Sequence, residues 1–106
     1  MKLENEKALI RTIAEGNTKS FEVLFYSYYP RLKGFICDLL QSPEEAEDIS
    51  QDIFTTLWQN RTSLDKIDNI SAYLFRIAKN DVYRHIERNM LFKNYQQKQT
   101  ESTPNV

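Results

Sequence analysis

The sequence predicts an all-α domain, a compact bundle of four to five helices. Apolar residues recur at steps of three and four along most of the chain, which is the spacing of one helix face. The 106 residues include only 2 Gly and 3 Pro, too few for the tight turns of a many-stranded β domain. A hydrophobic content of 41% is sufficient for a folded core and too high for a disordered chain.

The first helix is predicted from the start of the chain to Gly16. Gly16 suits the left-handed residue that commonly follows a helix end. The apolar face of this helix consists of Leu3, Leu9, Ile10, Ile13 and Ala14.

The second helix is predicted to begin after a cap at Asn17 or Thr18. Pro30 lies inside this segment, and because proline lacks an amide proton, we expect it to kink or split the helix. Nine apolar residues keep helical spacing on both sides of the proline: Phe21, Leu24, Phe25, Tyr28, Leu32, Phe35, Ile36, Leu39 and Leu40.

The third helix has the strongest start signal in the chain. Ser42 can cap it, Pro43 suits the first helical position, and a following glutamate can reach back to the cap amide. The helix is predicted to end near Asn60. Its apolar stripe consists of Ala46, Ile49, Ile53 and Leu57.

Residues 61–69 show no helical period and are rich in turn formers, so they predict a connecting loop. Asn69 or Ser71 can cap a last long helix, whose pattern fades after about Phe92. The apolar face of that helix consists of Ile70, Leu74, Ile77, Ala78, Val82 and Ile86. The polar segment 94–106 is aperiodic and predicts a linker or a frayed end.

Several classes of protein are disfavoured by composition. No apolar run approaches the roughly 20 residues that a membrane span needs. The single cysteine, Cys37, allows neither an internal disulfide nor a multi-cysteine zinc site, and residues 1–6 lack the apolar segment of a signal peptide. We therefore expect a protein of the reducing cytoplasm.

The reactive groups that an enzyme needs are scarce. His85 is the only histidine, and the chain has neither a glycine-rich phosphate loop nor a zinc-protease motif. His85 and Asp81 are four residues apart on one helix and are interpreted as a local structural pair. The sequence predicts a non-catalytic protein without a metal or a cofactor.

The net charge of −1 conceals a division along the chain. Residues 1–60 carry six basic and ten acidic residues, a net charge of −4, whereas residues 61–106 carry eight basic and five acidic residues, a net charge of +3. Such asymmetry indicates two surfaces for two partners, one basic and one acidic.

The acidic surface is predicted on the third helix, which contains five carboxylates and no Lys or Arg. One face, opposite the apolar stripe, carries Glu44, Asp48, Gln51, Asp52, Thr55 and Gln59, with Trp58 at its border. Tryptophan often anchors protein interfaces and surrounding charge selects the partner. The pattern is consistent with a docking surface, and the alternative is a solvated face whose early acids favour the helix N-terminus.

The last helix carries the opposite charge. Its polar face consists of Tyr73, Arg76, Asn80, Tyr83, Arg84 and Glu87, with Lys79 and Arg88 near its edges. Basic side chains can neutralise phosphates, Asn can pair with a base edge, and Tyr can stack on an unpaired base. This face suits opened or single-stranded nucleic acid, and the alternative is a solvated helix with basic residues near its C-terminal end.

Three blocks of sequence resemble region 2 of the extracytoplasmic-function (ECF) sigma factors, in that family's order and spacing. They are residues 20–32 (SFEVLFYSYYPRL), residues 42–54 (SPEEAEDISQDIF) with Trp58 four residues on, and residues 72–80 (AYLFRIAKN). The resemblance covers about residues 5–92. It implies the helical bundle of that region and a role in bacterial transcription initiation.

The resemblance also implies two sets of contacts. The third helix would dock on the clamp helices of the RNA polymerase β′ subunit through Asp48, Gln51, Asp52, Thr55 and Trp58. The loop and the last helix would recognise the promoter minus-ten element, holding the non-template strand and a flipped base while the duplex opens. The matching positions are Lys66, Asn69, Ser71, Tyr73, Arg76, Lys79, Asn80 and Arg84.

In such a factor, residues 1–93 would form the region 2 domain and residues 94–106 would begin a flexible linker, with the helix-turn-helix domain that reads the minus-35 element absent. An anti-sigma factor would be a further partner. Arg84 departs from the family, since many relatives carry Asp or Asn there. The alternative function is a helical adaptor that uses the acidic face for a protein and binds no DNA, and the basic and aromatic helix discriminates the two.

Overall fold

The computed structural model describes residues 6–105, and the side chains of residues 6–91. All regular structure in this range is helical, which confirms the predicted all-α bundle. The elements are α1 (Glu6–Ala14), α2 (Thr18–Leu40), α3 (Pro43–Gln59), a 3-10 helix (Arg61–Lys66) and α4 (Ile70–Asn105). Leu3, which was predicted on the first apolar face, lies outside the described residues.

The predicted helix boundaries between α1 and α3 are confirmed. Gly16 adopts a φ of +96°, and its amide donates to the Ile13 carbonyl at 2.9 Å. The Asn17 side chain caps α2 by accepting from the Ser20 amide at 3.0 Å. Ser42 caps α3 by accepting from the Glu45 amide at 3.3 Å. These are local interactions, so the nearby sequence is enough to predict them.

Pro30 does not split α2, contrary to one of the two predicted outcomes. The helix continues past it from Thr18 to Leu40. A proline in a helix interior costs about 3 kcal/mol. Tyr28 and Leu32, on either side of Pro30, are both completely buried against the same core. We attribute the continuous helix to this burial on both sides, which outweighs the missing hydrogen bond.

Residues 61–66, which were predicted to belong to a connecting loop without a helical period, form a 3-10 helix, so the prediction was wrong for this part. The Ser63 amide donates to the Asn60 carbonyl and the Ile67 amide donates to the Leu64 carbonyl, both at 3.0 Å. Leu64 is buried in the core, and the segment packs against α1. This helix of six residues makes only two turns and has one buried residue, Leu64, so it leaves no periodic pattern in the sequence.

The last helix is longer than predicted, because α4 continues beyond Phe92 to Asn105. Residues 93–101 contain no Gly or Pro and are rich in Gln and Lys, which are good helix formers. Extending an existing helix is easy because each added residue gains a hydrogen bond. The interpretation of residues 94–106 as a linker stays a prediction. None of the described helices combines the length and apolarity that crossing a bilayer requires.

The core lies among all five elements, with α2 packed against α1, α3 and α4. The Tyr28 hydroxyl donates to the Glu6 carboxylate at 3.0 Å and ties α2 to α1. α3 also packs against α4, and this contact brings the acidic and the basic helix side by side. The fully buried side chains include Ile13, Leu24, Tyr28, Leu32, Ile36, Ile70, Leu74 and Val82.

Candidate functional site

The acidic helix presents its polar face to solvent. Asp48, Gln51, Asp52 and Thr55 are all exposed on α3. The Gln51 amide donates to the Glu47 carboxylate at 3.2 Å, one turn earlier on the same helix. Four of the five residues predicted to dock on polymerase are therefore accessible on one helix.

Trp58, the fifth of these residues, is half-buried. Its ring lies 5.0 Å from the Phe21 ring, centroid to centroid, and the Arg61 guanidinium lies 4.4 Å from the Trp58 ring centroid. Arg61 also donates to the Trp58 carbonyl at 3.1 Å. Trp58 thus has a packing role that joins α2, the end of α3 and the start of the 3-10 helix.

The outer face of α4 alternates cations with aromatic rings. Arg76, Lys79 and Asn80 are exposed. The Arg76 guanidinium lies 5.8 Å from the Tyr73 ring centroid, and the Lys79 ammonium lies 5.8 Å from that of Tyr83. Cations at this distance are attracted to the ring faces. The face offers positive charge together with aromatic surface, as single-stranded nucleic acid requires.

Asn69 and Ser71, from the predicted DNA-contact set, lie at the start of α4. Asn69 caps the helix, since its side-chain oxygen accepts from the Ala72 amide at 3.0 Å. Ser71 is half-buried. The side-chain oxygen of Asn69 is therefore engaged within the protein, although the residue is exposed.

A cleft of about 600 Å³ lies between α3, the 3-10 helix and α4. It brings together Lys66, Tyr73 and Arg84 from the predicted DNA set and Asp52 from the predicted polymerase set. The rest of its wall consists of Ile53, Thr56, Leu57, Asn60, Ser63, Leu64, Ile67, Ile77 and Asp81. Sequence reasoning missed Asn60 and Ser63 as candidates, because as single polar residues near a helix end they carry no periodic signal.

A second groove, of about 390 Å³, lies between α3 and α4. The Arg84 guanidinium donates to the Asp81 carboxylate at one side of it. The His85 Nε2 atom lies 3.0 Å from the Glu45 carboxylate of α3. The predicted pairing of Asp81 with His85 was therefore wrong: arginine reaches Asp81 along the helix, and packing brings Glu45 to His85.

The two charged surfaces are therefore adjacent and not remote. Asp52, Asp81 and Arg84 line both the cleft and the groove. Among the described residues, no three His, Cys, Asp or Glu side chains are grouped as metal ligands would be. The side chains that line the cleft and the groove can form hydrogen bonds, ion pairs and ring stacking contacts.

The domain is a small helical bundle in which the exposed acidic face of α3 lies beside α4, whose exposed face carries cations and aromatic rings. The profile of the Sigma-70 region 2 family matches residues 24–91. The match covers more than half of the chain, from the first third of α2 into α4. The chain belongs to this family, and its curated relatives are sigma factors.

One such relative is the ECF RNA polymerase sigma factor RpoE of Cereibacter sphaeroides, 31% identical over 75 residues, or 69% of this chain and 41% of that protein. RNA polymerase sigma-H factor of Pseudomonas aeruginosa is 23% identical over 83 residues, 78% of this chain and 43% of that protein. The chain spans less than half the length of these relatives. No solved structure matches it significantly.

Proposed function

We propose that this chain is the core-polymerase-binding and minus-ten-recognition domain of an ECF sigma factor. The observation that carries the proposal is the cleft, which joins Lys66, Tyr73 and Arg84 beside the exposed cations of α4. The family membership gives the biological setting, bacterial transcription initiation. The chain acts by binding, and polymerase carries out the catalysis.

The mechanism is selective binding of the opened duplex. Extruding one base from the stack costs a few kcal/mol. A base stacked on an aromatic ring recovers about 1–3 kcal/mol, and contacts from Arg76 and Lys79 to phosphates add to this. Because these contacts need an unpaired strand, the domain stabilises the open form and makes or breaks no covalent bond.

Polymerase docking is assigned to the exposed acidic face of α3. Asp48, Gln51, Asp52 and Thr55 support this assignment because they are accessible and lie on one helix. Negative charge speeds association with a basic partner surface and excludes wrong partners. The partner we propose is the pair of clamp helices of the polymerase β′ subunit, and an anti-sigma factor would compete for these surfaces. The site of action is the cytoplasm, where polymerase works.

Promoter binding is tested by fluorescence anisotropy of single-stranded oligonucleotides of varied sequence, with core polymerase present. Arg76→Ala should weaken binding to all sequences and reduce the salt dependence, since it removes a phosphate contact. Asn80→Ala should relax the preference at one position, at a cost of roughly 1–3 kcal/mol.

Glu87→Gln, on an exposed position of the same helix, is the control and should bind at least as tightly as wild type. If neither Arg76→Ala nor Asn80→Ala changes binding or preference, α4 is not the DNA-reading helix, and the adaptor function becomes the better account.

Polymerase docking is tested by co-purification with a β′ clamp-helix fragment. Asp48→Asn and Thr55→Ala change exposed side chains without altering the core, so the variants should fold and bind the fragment less. Glu22→Gln removes an exposed carboxylate from α2 and serves as the control. Retention equal to that of wild type in both α3 variants would rule out this face as the docking site.

A further inference from the structure

His85 of α4 lies against the acidic helix α3. Its Nε2 atom is 3.0 Å from the Glu45 carboxylate, and the side chains of His85 and Glu45 are 25% and 41% exposed. The Nε2 atom itself is buried and has no aligned hydrogen-bond partner among the described residues. A neutral imidazole gains little from a carboxylate in this geometry, because a hydrogen bond needs alignment. A protonated imidazole gains more, because the attraction between opposite charges depends on distance alone.

The groove around His85 is rich in charged groups. Its described wall carries four carboxylates and two guanidinium groups: Glu45, Asp48 and Asp52 from α3, and Asp81, Arg84 and Arg88 from α4. Histidine is the side-chain type that ordinarily changes charge between pH 5 and 8. His85 is the only histidine in the sequence, so proton uptake near neutral pH changes the charge of the groove at one known position.

Two of these carboxylates belong to the proposed docking face. Asp48 and Asp52 line the groove and are also in the set assigned to polymerase. Glu45 precedes Asp48 by one turn of α3 and lies at the edge of that face beside α4. A positive charge on His85 therefore lies next to the negative charges that would attract a basic partner.

We propose that proton uptake by His85 weakens polymerase docking. The protonated ring pairs with Glu45 and offsets one negative charge beside Asp48 and Asp52, so a basic partner surface is attracted less. Docking is therefore strongest while His85 is neutral and weakens as the pH falls. The inference rests on the proposed function, because it needs α3 to be the docking helix.

Two substitutions fix the charge at position 85. His85→Gln stays neutral, whereas His85→Lys is positively charged at every pH used. Both should fold, because the His85 side chain is partly exposed at the edge of the groove. Met90→Lys adds the same positive charge on an exposed residue of α4 that does not line the groove, so it is the matched control.

The test measures fluorescence anisotropy of the labelled chain titrated with bacterial core polymerase at about pH 7.5 and about pH 6, at one low salt concentration. The wild type should bind about two- to fivefold more weakly at the lower pH. His85→Gln should match the wild type at the higher pH and lose this response, and any response of polymerase itself remains in that variant. His85→Lys should bind weakly at both. The proton NMR signal of the single histidine reports its protonation.

The outcomes separate the role of His85 from the proposed function. The same pH response in wild type and His85→Gln, or a ring that stays neutral at the lower pH, overturns the inference. Equal weakening by Met90→Lys and His85→Lys overturns it too, because the effect would then come from total charge. In these cases the proposed function stands if Asp48→Asn still weakens docking. A wild-type chain that binds core polymerase at neither pH overturns both.

Discussion

Trp58 combines a packing role inside the bundle with a proposed role in polymerase docking. Its ring contacts the Phe21 ring of α2 and the Arg61 guanidinium at the start of the 3-10 helix. The sequence placed Trp58 at the border of a polar face, which is where it lies. Its two partners could not be read from the sequence, because Phe21 is distant along the chain and Arg61 belongs to a segment without a periodic pattern.

Trp58→Ala is predicted to lower the free energy of unfolding by about 2–3 kcal/mol, through lost packing and a lost cation–π contact. Trp58→Phe keeps a ring and should recover much of this loss. Urea denaturation of the wild type and of both variants measures the free energy of unfolding. Unchanged stability in Trp58→Ala would show that the ring does not join these elements and serves only an external partner.

Tyr28 is a second residue whose chemistry the fold determines. Burial, and then its hydrogen bond to the Glu6 carboxylate, raise the pKa of Tyr28 above its ordinary value of 10.0. The folded state therefore prefers the neutral phenol. Its contribution to stability is fully present below the ordinary pKa and is lost as the pH rises through the higher pKa of the folded state.

Tyr28→Phe is predicted to be about 1 kcal/mol less stable near neutral pH, since it loses a hydrogen bond but keeps the ring. Above pH 10 the wild type should lose stability more steeply than the variant, so the difference between them should shrink. Chemical denaturation at a series of pH values measures the free energy of unfolding of the wild type and of Tyr28→Phe. A constant difference at alkaline pH would contradict the raised pKa.

At the level of elements, the start of α4 combines a structural and a proposed binding role in Asn69. Its side chain caps the helix at the Ala72 amide. Asn69→Ala should cost about 1 kcal/mol of stability, whereas Asn69→Ser keeps an oxygen at the cap and should cost little. Thermal unfolding gives the stability of each variant. A stable Asn69→Ala protein would mean that the cap contributes nothing.

The same pair of variants separates capping from DNA contact. If Asn69 reads DNA, Asn69→Ser should lose binding although it remains stable. If both stability and binding are retained, the DNA contact assigned to Asn69 is wrong. Asn69→Ser is needed as a control for Asn69→Ala, because loss of the cap alone would displace the 3-10 helix and Lys66 and would weaken DNA binding indirectly.

The helices themselves could be predicted because their signals are local. Gly16, Asn17, Ser42 and Asn69 each act within a few residues of their own position. The unbroken passage of α2 through Pro30 could not be predicted in this way. It depends on packing against other elements, which the residues next to the proline do not reveal.

For the whole molecule, the sequence predicted two surfaces of opposite charge, and in the structure exposed carboxylates lie on α3 and exposed cations lie on α4. The cleft between them was not predicted. It depends on the antiparallel packing of α3 on α4 and on the position of the 3-10 helix, and it brings Asp52 beside Arg84. The near-zero net charge results from two helices with opposite charges that pack side by side.

We propose that the chain confers sequence-selective binding of opened DNA on polymerase. The most direct measurement selects partly unpaired duplexes with a randomised single-stranded segment, using core polymerase with and without the chain. We predict that the chain enriches a distinct set of sequences, and that Asn80→Ala relaxes that set at one position. Recovery of the same sequences with and without the chain would contradict the claim.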